Sequence, residues 1–190
     1  MIIKDKSFEI EELQGEEFES LTFLRCKFVG GKFVGFKNCE FESCDWSGAD
    51  LDSVSFVNCK FIDSKLSNID FGLAFIDECV LQNCLINNCI FQKLAGGTRT
   101  DTKKMVFKNL KFERCDLSRS AFVKCVLKEV ILVTCNLKSV VFDYCDLRGL
   151  DLSNCDTEAV NYETSQIGNT KLSVEGFVKF GYGKGFVLGE

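Results

Sequence analysis

From Phe36 to Phe91 a large apolar residue falls at every fifth position, a spacing that neither a helix of period 3.6 nor a flat strand of period two can bury on one side. The series is Phe36, Phe41, Trp46, Leu51, Phe56, Phe61, Leu66, Phe71, Ile76, Leu81, Ile86 and Phe91. Two residues before each stands a smaller partner: Val34, Cys39, Cys44, Ala49, Val54, Cys59, Ser64, Ile69, Ala74, Cys79, Cys84 and Cys89. After a break the phase returns at Phe107, Phe112, Leu117, Phe122, Leu127, Leu132, Leu137, Phe142, Leu147 and Leu152, with Thr157, Tyr162, Ile167 and Leu172 keeping step more weakly. An earlier frame runs through Phe8, Leu13, Phe18, Phe23, Phe28 and Phe33.

A period of five requires a backbone that turns a corner once per repeat. One large and one small residue then point inward, and the other three point out. Four such faces close a coil, so residues twenty apart stack: Phe41, Phe61 and Leu81 in one column, Phe122, Phe142 and Tyr162 in another. Eight coils at about 4.8 Å per level give a rod of roughly 38 Å. Like other solenoids, the rod needs its ends capped.

The twelve cysteines all occupy the small inward position, where Cys serves as a compact apolar residue. They are expected as free thiols, with Cys115, Cys135 and Cys155 in one column and Cys125 with Cys145 in another. No pair has C-x-x-C spacing, and the chain has no histidine, which removes Ser-His-Asp and Cys-His catalysis and every His-containing metal site. Carboxylates such as Asp45, Asp50, Asp116 and Asp146 recur just before the large residue on every face, which argues against a dedicated catalytic pair. GGTRT and GYGKG lack the Lys-Ser/Thr ending of a phosphate loop. The chain is therefore expected to be neither an enzyme nor cofactor-dependent. No apolar run reaches the ~18 residues of a membrane helix, and the charged start lacks an apolar leader, so a cytoplasmic location is expected.

Formal net charge is −5, unevenly spread: residues 1–95 hold 16 acids and 9 bases, and residues 96–190 hold 12 acids and 14 bases. An acidic surface repels nucleic acid and suits a basic protein surface instead. No direct nucleic-acid binding and no membrane association are expected.

Two breaks interrupt the phase. Phe33 and Phe36 are three apart, and Phe91 and Phe107 are sixteen apart. The second break, LAGGTRTDTKKM, loses the apolar pattern and reads as an ejected loop near 94–104; loops on a rigid scaffold can vary freely and carry function. The tail after Leu172 also leaves the repeat. Its residues Phe177, Val178, Phe180, Phe186 and Val187 are too apolar to stand bare, so they are expected to cap the rod or to join a second copy.

The triplets Cys44-Asp45-Trp46, Ala49-Asp50-Leu51, Cys115-Asp116-Leu117, Cys135-Asn136-Leu137 and Cys145-Asp146-Leu147 resemble the A/C-D/N-L/F-x-x motif of the pentapeptide-repeat family. That resemblance implies an all-β, right-handed quadrilateral parallel β-helix of about eight coils with a projecting loop and a short C-terminal helix or cap. The expected division is 1–173 for the coil and 174–190 for a cap or dimerisation segment. The tail is similar to one subgroup: the quinolone-resistance (Qnr), albicidin-resistance and microcin-immunity proteins. Thr164-Ser165-Gln166-Ile167, Leu172-Ser173-Val174-Glu175 and Gly185-Phe186-Val187-Leu188 carry that likeness. Cys39-Glu40-Phe41-Glu42-Ser43-Cys44 resembles a stretch of the microcin-immunity protein. Lys103-Lys104-Met105-Val106-Phe107 resembles the point where Qnr proteins rejoin the coil after a loop.

The subgroup resemblance implies a DNA-mimic-like protein that binds bacterial DNA gyrase or topoisomerase IV and protects it from a poison, conferring resistance or immunity. It also implies a homodimer joined through the C-terminal segment. On that reading the partner-binding loop is Gly96, Gly97, Thr98, Arg99, Thr100, Asp101, Thr102, Lys103 and Lys104, and Glu40, Glu42, Asp45, Asp50 and Asp52 form an acidic face. Because many such rods carry only the coil, a structural or interaction module with a different protein partner remains the alternative.

Overall fold

A computed structural model, which describes residues 1–93 and 104–189, closes one coil every twenty residues over most of the rod. Glu40–Glu42 pairs with Lys60–Ile62, which pairs with Val80–Gln82, each partner twenty residues on. Every strand pairing is parallel, and the longest sheet has seven strands: Ile2–Lys4, Thr22–Leu24, Glu40–Glu42, Lys60–Ile62, Val80–Gln82, Lys111–Glu113 and Ile131–Val133. This sheet is the first face of the prism. In chain order the second face centres on Phe28, Trp46, Leu66 and Ile86, the third on Leu51, Phe71 and Phe91, and the fourth on Phe36, Phe56 and Ile76. The rod makes about seven turns. The level at Leu152, counted as an eighth from the repeat, adds no strand, and the outer faces end there in single bridges such as Asn136 with Asp156.

Most repeats turn their corner through a left-handed residue. Among the described residues, twenty-two non-glycine residues have positive φ, including Asn38, Asn58, Asn68, Asn83, Asn88 and Asn109, the side chain that best tolerates this region. Backbone bonds between levels satisfy the buried amides, as where Lys60 N–H donates to Cys39 O (2.9 Å) and Val80 N–H to Cys59 O (3.0 Å).

The core is a set of columns. Phe23, Phe41 and Phe61 stack at centroid distances of 5.0 and 4.7 Å, and Phe28 lies 3.8 Å from Trp46. The longest ladder is Phe71, Phe91, Phe122, Phe142 and Tyr162, where Phe91 is 4.6 Å from the ring below and 4.4 Å from the ring above. All twelve cysteines are buried and unpaired. Their thiols donate to carbonyls of the level below, as from Cys44 Sγ to Phe23 O (3.3 Å). Burial pushes the Cys44 thiol up to about 12 and the Cys89 thiol up to about 11, which keeps them from forming reactive thiolates. Ser64 and Ser120 fill the same small position, each hydroxyl accepting from the backbone N–H of a cysteine on a neighbouring level (3.0 Å).

Three expectations are corrected. Phe33 is not an inward residue: it is 65% exposed at a corner with φ +53°, and Val34 and Phe36 point in instead. The cause is a coil two residues short, since Phe23 pairs with Phe41 and Phe18 with Phe36, each eighteen apart. Gly30 and Gly31 make the short cut, and Gly30 (φ +147°) packs directly on the backbone of Asp50. Ile167 keeps the phase but is exposed, because the last coil is covered only in part. At the other end, a four-residue helix α1 (Ile10–Leu13) replaces the first coil's third face and delivers Leu13 to the core.

Candidate functional site

The register locates the main interruption. Val80 pairs with Lys111 and Ile90 with Ala121, thirty-one residues apart instead of twenty, so eleven residues between Phe91 and Phe107 are surplus to the coil. The interruption falls between Phe91 on the third face and Met105–Val106 on the fourth. The loop residues Gly96, Gly97, Thr98, Arg99, Thr100, Asp101, Thr102 and Lys103 lie outside the described residues; Lys104 is described and exposed. The chain re-enters as Met105–Val106, paired with Cys125–Val126, while Met105 and Phe107 return to the core.

The interruption also divides the rod. The first face crosses this level as an unbroken sheet, but the fourth face does not. Its four-stranded sheet ends at Phe75–Asp77, and Met105–Val106 begins a separate two-stranded one. Among the described residues a single backbone bond, from Glu78 N–H to Lys108 O (3.0 Å), ties the two at this corner. Ile76, an inward residue, is left half-buried there.

The five carboxylates expected to form one acidic face lie on three. Glu40 and Glu42 flank Phe41 on the first face, Asp45 is on the second, and Asp50 and Asp52 flank Leu51 on the third. They ring one coil, with basic neighbours above and below some of them. Glu40 pairs in register with Lys60, and Asp45 sits between Lys27 and Lys65. Partial burial works to raise the Asp45 carboxyl, but the Ser47 N–H at 2.9 Å and the two lysines outweigh it and lower it. The five-residue spacing of Glu40, Asp45 and Asp50 itself sets them on successive faces, so the expectation of one shared acidic face is corrected.

The strongest local charge pair lies elsewhere. Asp146 is 8% exposed and accepts from Arg148 Nε (2.8 Å) and Nη2 (2.7 Å), which holds its carboxyl at about 2, with Lys104 adding to the field. Its folded value lies below its unfolded one near 3.8, so its contribution to stability is complete above that value. It is lost as pH falls through about 2. Arg148→Gln is expected to flatten this part of the stability–pH profile, measured by urea midpoints between pH 5 and pH 2.

The C-terminal segment forms a ten-residue helix, α2 (Val174–Gly183), despite three glycines. Ser173 caps it by accepting from Gly176 N–H (2.9 Å). Gly176 itself is buried, and a Cβ there would meet Thr157 Oγ1 at 2.8 Å, so the helix lies close on the last coil. Phe180 packs edge-on against Tyr162 at 5.8 Å, closing the aromatic ladder. Lys184 Nζ pairs with Glu163 (2.8 Å) and Lys179 Nζ with Asp156 (3.6 Å), pinning the helix to the last coils. The rest of the segment is open. Phe177, Phe186 and Val187 are 67, 72 and 83% exposed, Val178 is half-buried, and a groove of about 350 Å³ runs beside Ile167, Leu172, Val174 and Phe177.

Among the described residues, no three His, Cys, Asp or Glu side chains are grouped to hold a metal. Among them, no helix is long and apolar enough to cross a membrane.

Two family models match the sequence: pentapeptide repeats over residues 36–72 and the pentapeptide repeat region over residues 101–173. Among solved structures, a trypsin-treated form of QnrB1, a plasmid-mediated fluoroquinolone resistance protein, is similar over 100% of this chain and 99% of its own, at 14% identity and a TM-score of 0.56. HetL, a pentapeptide-repeat protein involved in heterocyst differentiation regulation in the cyanobacterium Nostoc, is similar over 90% of this chain and 84% of its own, at 10% identity and a TM-score of 0.37. No curated protein matches the sequence.

Proposed function

Because this chain belongs to the pentapeptide-repeat family, we propose that it acts without catalysis, as a rod that binds bacterial DNA gyrase or topoisomerase IV and protects the enzyme from a poison. The observation that carries this reading is the eleven-residue surplus on the rod's edge, re-entering the coil through Lys104-Met105-Val106-Phe107. A stiff parallel coil holds such a loop at a fixed height and angle, which is how a scaffold lets a loop reach into a partner. The fold shared with QnrB1 and the subgroup-like tail support the same reading. The ring of Glu40, Glu42, Asp45, Asp50 and Asp52 would give electrostatic footing on a basic saddle. The cytoplasm, where gyrase works, is the matching location.

The test is supercoiling by purified gyrase at a fixed inhibitory dose of a quinolone, with a peptide poison as a parallel arm. Deleting residues 94–104 joins Lys93 to Met105 and restores an unbroken five-residue phase from Phe91 to Phe107, so the variant should fold. The intact chain is expected to restore supercoiling, and the deletion to require about ten-fold more protein, a loss of about 1.4 kcal/mol in coupling. Rescue by neither protein against either poison overturns the reading.

The exposed tail supports a homodimer formed through the segment 174–190, with Phe177, Val178, Phe180, Phe186 and Val187 at or beside the contact. Sedimentation at micromolar concentration is expected to give twice the chain mass, and Phe177→Asp with Val187→Asp the single mass. A second reading, an interaction module with another protein partner, is favoured by the spread of the acids over three faces and by the basic balance of the C-terminal half.

A further inference from the structure

Outward columns on this rod are mostly polar, as with Lys27, Asp45 and Lys65 on the second face. At the edge where the coil is interrupted, two neighbouring columns are apolar instead. On the fourth face Phe75, Val106 and Val126 follow one another, with Phe75 52% and Val106 56% exposed. On the third face Ile90, Ala121 and Val141 do the same. Leu73, 38% exposed, lies at the corner between them. An exposed Phe on a strand, beside exposed aliphatic neighbours, is the composition of a docking surface rather than of a solvated sheet.

At the two levels that carry Val106 and Val126, the described charged residues at this edge are basic but for Glu129. Lys93, Lys104, Lys108, Lys124 and Lys128 border it, and Lys104 and Lys108 are exposed. The nearest carboxylate to Lys128, on Glu129, is 3.9 Å away. Carboxylates bound these levels from below, at Asp70, Asp77 and Glu78, and from above, where Asp143 accepts from Thr164 Oγ1 at 2.8 Å and Asp146 is paired with Arg148. Across the two middle levels the balance is opposite to that of the N-terminal half.

We propose that this edge is a second contact surface, which seats an apolar anchor ringed by carboxylates on the protein partner. It rests on the gyrase reading above and deepens it: the acidic ring of the rod faces a basic part of the partner, and this edge faces an acidic one. Charge complementarity selects the occupant, because an apolar edge bordered by lysines excludes a basic surface and accepts an acidic one.

The experiment measures binding to purified gyrase, with quinolone rescue alongside, for four full-length chains whose circular dichroism and melting match. They are the wild type, Phe75→Asp with Val106→Asp, Lys104→Glu with Lys108→Glu, and Ile131→Asp, which alters an exposed apolar residue on the first face. Both edge variants are expected to weaken binding about ten-fold or more, with the Ile131 variant within about two-fold of wild type. Salt is expected to weaken the wild type more than the lysine variant. Unchanged binding in both edge variants overturns the surface and leaves the gyrase reading standing. A loss in the Phe75 pair alone overturns the acidic partner, and an equal loss in the Ile131 variant overturns the localisation. No binding by the wild type overturns this proposal together with the reading it rests on.

Discussion

Phe91→Ala is expected to cost about 3–5 kcal/mol and to split one unfolding transition into two. Phe91 is 1% exposed, stacked between Phe71 and Phe122 and edge-on to Phe107 at 6.1 Å, so truncation opens a void in a rigid column. Its position makes the loss local. Levels of a solenoid contact only their neighbours, so cooperativity is carried by each interface in turn. The interface above Phe91 is joined on three faces, through Val80 with Lys111, Leu85 with Asp116 and Ile90 with Ala121, while the fourth face is cut. Removing the ring weakens the one seam that already lacks a side. The single tryptophan, Trp46, reports only on the N-terminal half, whereas far-ultraviolet circular dichroism reports on both. In urea the two probes are expected to coincide for the wild type and to separate for Phe91→Ala. Coincident probes in a destabilised variant would show that the seam is not the weak interface.

Gly30→Ala is the second large effect, a loss of about 3 kcal/mol or more from one methyl group. The residue has φ +147°, and an added Cβ would fall on the carbonyl oxygen of Asp50 and within 2.7 Å of its nitrogen. Both obstacles are backbone, so neither can rotate away, and the short coil has no slack to lift. Gly48 provides the contrast. It also has positive φ (+70°), but nothing lies within 4 Å of its Cβ position. Gly48→Ala is therefore expected to cost only about 1–2 kcal/mol, the price of the left-handed region. Urea midpoints of the two variants, taken side by side, separate crowding from backbone strain; equal losses would remove the crowding argument.

The period of five was enough to read the fold, because an inward pair at fixed spacing leaves the backbone only one way to close. Where the period failed, phase alone could not say how. A spacing of three from Phe33 to Phe36 is compatible with a bulge or a deletion, and only the pairing of Phe18 with Phe36 shows that the coil lost two residues. A spacing of sixteen from Phe91 to Phe107 fits a surplus of one, six or eleven, and the pairing of Val80 with Lys111 selects eleven. The outward residues were less legible still. Phe75 and Val106 are distant in the chain and become neighbours only once that surplus is known. Glu40, Asp45 and Asp50 are the opposite case: their five-residue spacing already sets them on three successive faces, so they do not make one surface. The tail was easier, since a run of apolar residues outside any phase has to cover an end; the helix formed in spite of its glycines because Ser173 caps it and Phe180 anchors it.

The twenty-residue register has a consequence for how such a chain can change in length. A duplication or loss of twenty residues slides every later side chain down one level and leaves each column chemically intact. A change of five keeps the inward pattern but rotates everything downstream by a quarter turn, moving any surface built from several levels to a different side of the rod. A change that is not a multiple of five is a frameshift in three dimensions and must leave the coil at a corner or be absorbed by glycines, as at Gly30 and Gly31. Length variation among rods of this kind is thus expected to be quantised, with the exceptions marking either a loop or a pair of glycines.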